Sequence, residues 1–190
     1  MTFHINTPLD GENTIQLRSL RAGDAVLLSG FIYTARDQAH KRMTEEIKAG
    51  RPLPFDLAGS AIYYAGPTPE RIGQVIGSVG PTTSGRMDSY STRLLDLGNK
   101  IMIGKGKRNP EVKEAIIRNG AVYLAAVGGA GALIAGCVRS AEIVAWEDLG
   151  CEAVRCLCVE NMPLTVVIDS LGGDLYDTGP KAYLRSVNEK

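Results

Sequence analysis

A chain of 190 residues, 44% hydrophobic and 22% charged, has the size of one globular domain and enough apolar side chains to bury a core, which excludes an intrinsically disordered protein. Lys plus Arg and Asp plus Glu both number 21, so no overall field draws the chain onto nucleic acid or an anionic membrane. Any anion site has to be local.

The opening MTFHINTPLD lacks the basic start, apolar middle and small-residue cleavage site of an export signal, which predicts a cytoplasmic protein. Residues 14–35 predict a short strand, a turn at Ala22-Gly23-Asp24 and a long apolar strand over 25–34. Arg36 closes that strand, and Asp37 can cap a helix, DQAHKRMTEEIKAG, that ends at Gly50 ahead of Pro52 and Pro54. Arg36 therefore stands at a strand-to-helix junction. Further strands are predicted at 61–65 and 74–79, the second running into GPTTSGRMD (80–88). There Gly80-Pro81 sets a turn, Thr82, Thr83 and Ser84 place three hydroxyls side by side, Gly85 frees the backbone, and Arg86 supplies a cation just before a helix over 87–97.

A strand at 100–103 leads to the loop Gly104-Lys105-Gly106-Lys107 and a helix at 110–119, with Pro110 suited to its first turn. The uncharged run 121–138 reaches the minimum of about 18 residues for a membrane span. Gly128-Gly129 breaks it, so it reads as buried strand, glycine turn and buried helix. Strands follow at 140–146, 153–159 and 164–169, and 181–190 reads as a frayed or partner-bound tail. Strands and helices alternate in the middle with extra β-structure at both ends, the pattern of a layered α/β fold forming a single domain over 1–190.

Cys137, Cys151, Cys156 and Cys158 contain no CxxC, and only His4 and His40 could complete a zinc site, so buried reduced thiols are expected. Cys156 and Cys158 would share a strand face, which leaves a soft-metal or redox pair open.

Three predicted strand ends carry polar residues that the hydrophobic pattern does not need: Arg36, the segment Thr82–Arg86, and Lys105. Ligands bind at strand ends in α/β sheets, and arginine matches a carboxylate with two parallel hydrogen bonds. Two arginines, a lysine and a hydroxyl-rich turn suit a small molecule with two carboxylates. The plainer readings are a turn at Gly80-Pro81, an N-cap at Ser84, a surface cation at Arg86 and solvated charges at Lys105 and Lys107. His40 either faces solvent or orients Arg36. A P-loop fails on spacing, since five residues separate Gly98 from Gly104 and Gly106 follows Lys105. GGAGAL lacks the third glycine of a dinucleotide fingerprint.

RDQAH (36–40), AGPTP (65–69), SVGPTTSGRMDSY (78–90), KIMIGKGKR (100–108) and AVGGAGALIA (126–135) together resemble the β-subunit, or C-terminal domain, of the iron–sulfur class I fumarases. The related L-tartrate dehydratase β-subunits share much of this set. The resemblance implies a swivelling β/β/α domain that closes over an α part carrying a 4Fe-4S cluster, with no metal on this chain. It implies a cluster-bearing α-subunit as partner, an αβ heterodimer that dimerises further, and a chain inactive alone; the charge balance adds the expectation of no nucleic-acid or membrane partner.

The implied reaction is the hydration of fumarate to L-malate in the tricarboxylic acid cycle. Carried over by position, Arg36 clamps one substrate carboxylate, while Arg86 and Lys105 hold the other and steady developing negative charge. Thr82 is the implied base, Thr83 and the backbone through Ser84 and Gly85 position it, and His40 supports. Alternatives are an L-tartrate dehydratase β-subunit and a non-catalytic dicarboxylate-binding domain.

Overall fold

A computed structural model describes residues 2–188. Its centre is a set of short, wholly apolar runs, AIY, IMIG and VYLA, which form β3 (Ala61–Tyr63), β4 (Ile101–Gly104) and β5 (Val122–Ala125). Runs without a polar face belong in strands covered on both sides. With β2 (Ala25–Thr34) they line up in parallel in the order β2-β3-β4-β5. β1 (Thr2–Thr7) pairs in parallel with Ala25–Gly30, the first part of the β2 edge that β3 takes up at Tyr33. The long β7 (Val154–Ile168) runs antiparallel to both β2 and β5, and β6 (Val138–Ala145) pairs antiparallel with β7. Because β7 bonds to both ends of the parallel set, β2, β3, β4, β5 and β7 close into a ring within one mixed sheet.

Strand alternation then makes two cores. Leu28, Ile32, Tyr63, Ile101, Ile103, Leu124, Leu157 and Val166 pack into one. Their neighbours Ile62, Tyr64, Met102, Tyr123 and Val167 belong to the other, shared with Ala39 and Met43 of α2 (Asp37–Lys48), Leu94 and Leu95 of α3 (Asp88–Asp96), and Val112 and Ile116 of α4 (Pro110–Asn119). α4 shows why a helix can be read locally. The Asn109 side chain accepts from Val112 N at 2.9 Å, Pro110 opens the first turn, and Gly120 ends the helix in the left-handed conformation. The result is a single α/β domain.

Several boundaries differ from expectation. Residues 14–19 belong to a helix, α1 (Gly11–Ser19), not a strand; the Asp10 side chain accepts from Asn13 N at 2.8 Å, and the buried Leu17 and Leu20 are one helical turn apart. Segment 74–79 is a loop. A Cβ on Gly77 would lie 2.1 Å from Thr68 O, and Thr68 N donates to Ser78 O at 3.0 Å, so this stretch folds back on the AGPTP turn instead of pairing in the sheet. The two strands expected at 153–159 and 164–169 are one, β7, which absorbs its turnover at left-handed Asn161 opposite an irregularity between Leu28 and Gly30.

The strand expected at 61–65 stops at Tyr63, and Ala65 makes an isolated bridge with Pro81. The helix expected at 87–97 begins after a 3-10 turn, Ser84–Met87. α5 (Gly131–Gly136) is only half buried, with Leu133 60% exposed. The segment from 181 lies in an exposed helix, α6 (Leu175–Asn188), apart from 189–190, which lie outside the described residues. Among the described residues no helix is long and apolar enough to cross a membrane.

Candidate functional site

Since β2 to β5 are parallel, their carboxyl ends fall along one edge, where α/β sheets bind ligands. Arg36 follows β2 and Lys105 follows β4. GPTTSGRMD lies across the ends of β3 and β4. Thr82 N donates to Tyr64 O at 2.7 Å, Ser84 N donates to Lys105 O at 2.8 Å, and Thr83 and Lys105 form a parallel bridge. Gly128 follows β5, and a Cβ there would sit 3.7 Å from Lys105 Nζ. The strand ends thus bring Arg36, Thr82, Thr83, Arg86 and Lys105 to one edge. Thr82 is half-buried, while Thr83, Arg86 and Lys105 are exposed.

The hydroxyl loop is anchored from beneath. Ser84 is buried, not a cap, and its Oγ hydrogen-bonds with the Tyr123 hydroxyl at 2.9 Å. That hydroxyl also bonds the Gly106 carbonyl at 2.9 Å, and Gly106 N donates to the Tyr176 hydroxyl of α6 at 2.9 Å. Burial pushes the Tyr123 phenol well above its usual range, so it stays a neutral hydrogen-bonding group. Gly104 has no room for a side chain, because a Cβ would lie 2.0 Å from Ser84 Oγ. Deeper still, the Arg108 side chain is 0% exposed. Its Nε donates to Asp88 Oδ1 at 2.6 Å and its Nη2 to Ser91 Oγ at 2.7 Å. Its guanidinium carbon sits 5.3 Å from the Tyr64 ring centre and 5.2 Å from that of Tyr123. Asp88 Oδ2 accepts from Asn109 N at 2.7 Å, so one buried ion pair ties GPTTSGRMD to KIMIGKGKR.

The cations above this base are differently committed. Arg86 Nε donates to Asp37 Oδ1 at 2.8 Å, with the Arg86 side chain 51% exposed. Arg36 makes only longer ion pairs, with Nε 3.9 Å from Asp37 Oδ2 and Nη2 3.6 Å from Glu152 Oε1. Its Nε and Asp37 Oδ2 are both buried without a hydrogen-bond partner among the described residues. Asp37 is the first residue of α2, and the cap position belongs to Arg36, not to Asp37 as the sequence suggested. His40 is wholly buried, which overturns the solvent-facing alternative. Its Nδ1 lies 2.9 Å from the Arg36 carbonyl, so that nitrogen carries the hydrogen. Burial lowers its pKa to about 4, the ring is neutral, and Nε2 has no partner among the described residues.

The cysteines are free but not buried as expected: Cys151 is exposed and the other three are half-buried. Cys156 and Cys158 do lie two apart on β7. Among the described residues no group of three His, Cys, Asp or Glu side chains could hold a metal ion.

Sequence reasoning missed Asp37 as a bridge between two arginines, and it missed the Asp88–Arg108 pair and Tyr176. Asp88 and Arg108 stood inside quoted motifs as charges that no helix face required, which was a usable signal. Nothing in the sequence links Tyr176 to Gly106, 70 positions away.

The motif loops at this edge lie within residues 3–179, which match the family model described as Fumarase C-terminus, and the chain belongs to that family. Within it, the chain is 41% identical over 179 residues to a putative L(+)-tartrate dehydratase subunit beta of Methanocaldococcus jannaschii, covering 91% of this chain and 92% of that protein. It is 40% identical over 156 residues to the mitochondrial fumarate hydratase 1 of Leishmania major, covering 79% of this chain and 28% of that protein. It is 37% identical over 174 residues to the aerobic class I fumarate hydratase of Escherichia coli K12, covering 90% of this chain and 32% of that protein. The chain therefore spans under a third of the length of these fumarate hydratases.

Proposed function

We propose that this chain is the β-type part of a hydro-lyase that interconverts fumarate and L-malate, completed by a cluster-bearing α partner over which the domain swivels shut. The observation that carries the reading is the convergence of Arg36, Arg86 and Lys105 beside Thr82 and Thr83 at one strand edge, with Arg86 committed to Asp37 through Nε alone. Among the described residues the Arg36 guanidinium has no carboxylate closer than its 3.6 Å and 3.9 Å ion pairs, and Lys105 Nζ has no hydrogen bond. Arginine and lysine donors held this way are suited to carboxylates at two ends of a small molecule.

In the dehydration direction, a proton leaves the carbon next to one carboxylate and passes to Thr82 Oγ1. The electron pair left behind spreads into that carboxylate, where Arg86 and Lys105 oppose the added charge, and then forms the C=C bond as the C–O bond of the adjoining carbon breaks and its hydroxide, once protonated, leaves as water. A threonine hydroxyl is a weak base, and the two cations favour its alkoxide. Arg36 binds the far carboxylate, and Thr83, Ser84 and Gly85 carry the backbone that positions Thr82. His40 fixes the Arg36 carbonyl from below. Among the described residues the four free cysteines are not gathered into a ligand set that fits a 4Fe-4S cluster. The cluster belongs to the partner in this reading. The αβ unit dimerises further.

The test is Thr82→Ala in the co-expressed αβ complex. Turnover of fumarate should fall by about 100-fold or more, the usual contribution of a positioned acid–base group, while the complex still co-purifies. Near-normal turnover would remove Thr82 from the role. The relatives carry both fumarate and tartrate names at similar identity, so rates on fumarate, L-malate and L-tartrate decide the substrate. An inactive complex whose isolated β-type chain binds fumarate would favour a dicarboxylate-binding domain.

A further inference from the structure

We infer that Asp37 is a positioning residue of this site, one carboxylate that holds Arg86 by its Nε and sits against Arg36, so that the two arginines keep a fixed separation and present their outer edges to the ligand. The inference rests on the dicarboxylate reading above. Arg36 comes from the end of β2 and Arg86 from the 3-10 turn Ser84–Met87, and Asp37 reaches both from the first position of α2. Its Oδ1 accepts from Arg86 Nε at 2.8 Å. Its Oδ2 is buried, lacks a hydrogen bond, and faces the equally unbonded Arg36 Nε at 3.9 Å.

A guanidinium has a fork of donors, and fixing Nε on Asp37 leaves the Nη edge of Arg86 free for a second carboxylate with its direction already set. Side chains placed before the ligand arrives cost less to order when it binds. Glu152 has a different task. It lies 3.6 Å from Arg36 Nη2, but its other oxygen accepts from Gln38 N at 2.8 Å and secures the start of α2. Among the described residues Asp37 is thus the carboxylate paired with both arginines.

Electrostatics alone makes the opposite demand. A negative charge between the two clamps weakens their pull on a dianion, so a carboxylate here opposes binding unless it serves placement. That opposition supplies the test. In the αβ enzyme, Asp37→Ala should leave KM for fumarate unchanged or lower, because the site becomes more positive. Its kcat should fall by about tenfold or more, because misplacing a positioning group by about an ångström costs up to about 100-fold. Asp37→Asn keeps an acceptor for Nε and should recover most of that kcat, and it serves as the readable variant if Asp37→Ala does not fold.

A lowered KM with kcat within twofold of wild type would mean that Asp37 only screens charge and would overturn the inference. Unchanged kcat and KM with a lower Tm would reduce Asp37 to a favourable charge at a helix N-terminus and overturn it equally. Arg86→Ala separates the underlying reading: if kcat and KM for fumarate stay within twofold in that variant, the dicarboxylate site itself is wrong, and Asp37 has nothing to position.

Discussion

Asp88→Asn tests the buried base of the site. The carboxylate accepts from Arg108 Nε through Oδ1 at 2.6 Å and from Asn109 N through Oδ2 at 2.7 Å. An asparagine has one oxygen, so its amide NH2 must face one of those two donors, and the Arg108 charge, with its side chain 0% exposed, loses its counter-ion. Breaking a buried pair by removing one partner costs about 3–5 kcal/mol. Asparagine keeps the shape and one acceptor, which places this variant near the lower end, about 3 kcal/mol. Against a domain stability of about 5–15 kcal/mol that is a large fraction.

At about 2–4 °C per kcal/mol for a domain of this size, Tm should drop by roughly 10 °C. Urea titrations followed by circular dichroism should show a lower midpoint with an unchanged slope. The double variant Asp88→Asn/Arg108→Met removes the orphaned charge and lays an apolar chain between Tyr64 and Tyr123. It should regain at least about half of the loss, since the two effects are coupled and not additive. A single-variant loss under about 1 kcal/mol, or a double variant worse than the single, would refute the assignment of this pair as the anchor of the loop.

Two further outcomes follow from the same geometry. His40 is held neutral in the folded state with a pKa of about 4, against 6.5 for the free side chain, so between those values the unfolded chain binds more protons. Stability should therefore be complete above about pH 6.5 and decline by roughly 3 kcal/mol as pH falls towards 4. Urea midpoints of wild type and His40→Gln at pH 7 and pH 4.5 check this, and an equal decline in the variant would show that His40 is not the titrating group. Gly104→Ala puts a methyl 2.0 Å from Ser84 Oγ and 3.0 Å from Tyr64 Cδ2, both buried, and should cost about 1–3 kcal/mol while raising KM for fumarate in the proposed αβ complex. Gly136→Ala meets nothing within 4 Å at the end of α5 and should stay within about 1 kcal/mol of wild type, so equal Tm values for the two variants would count against the contact.

How much of this was legible in the sequence depended on the range of the interactions involved. α4 could be read because Asn109, Pro110 and Gly120 are start and stop signals that act within one turn of the helix. β3, β4 and β5 could be read because an apolar run of three or four residues has few other places to go. The short TIQLRS run misled because its apolar residues fit both a two-residue and a three-residue period, and the deciding contacts of Leu17 and Leu20 with the core are tertiary. The break expected inside β7 was a real local turn in backbone conformation at Asn161, but pairing with β2 on both sides of it kept one strand.

The site divides in the same way. The sequence by itself determined which chemistry was present: two arginines, a lysine and a row of hydroxyls at predicted strand ends, in motifs shared with a known family. Only the tertiary structure decided how those groups are held. Parallel pairing of β2 to β5 put four strand ends on one edge, Arg108 set against the rings of Tyr64 and Tyr123 pinned the loop, and Asp37 was set between Arg36 and Arg86. Composition and spacing report the groups a segment carries, whereas an ion pair between residues 37 and 86 exists only after β2 and the 3-10 turn have been brought side by side by the sheet between them.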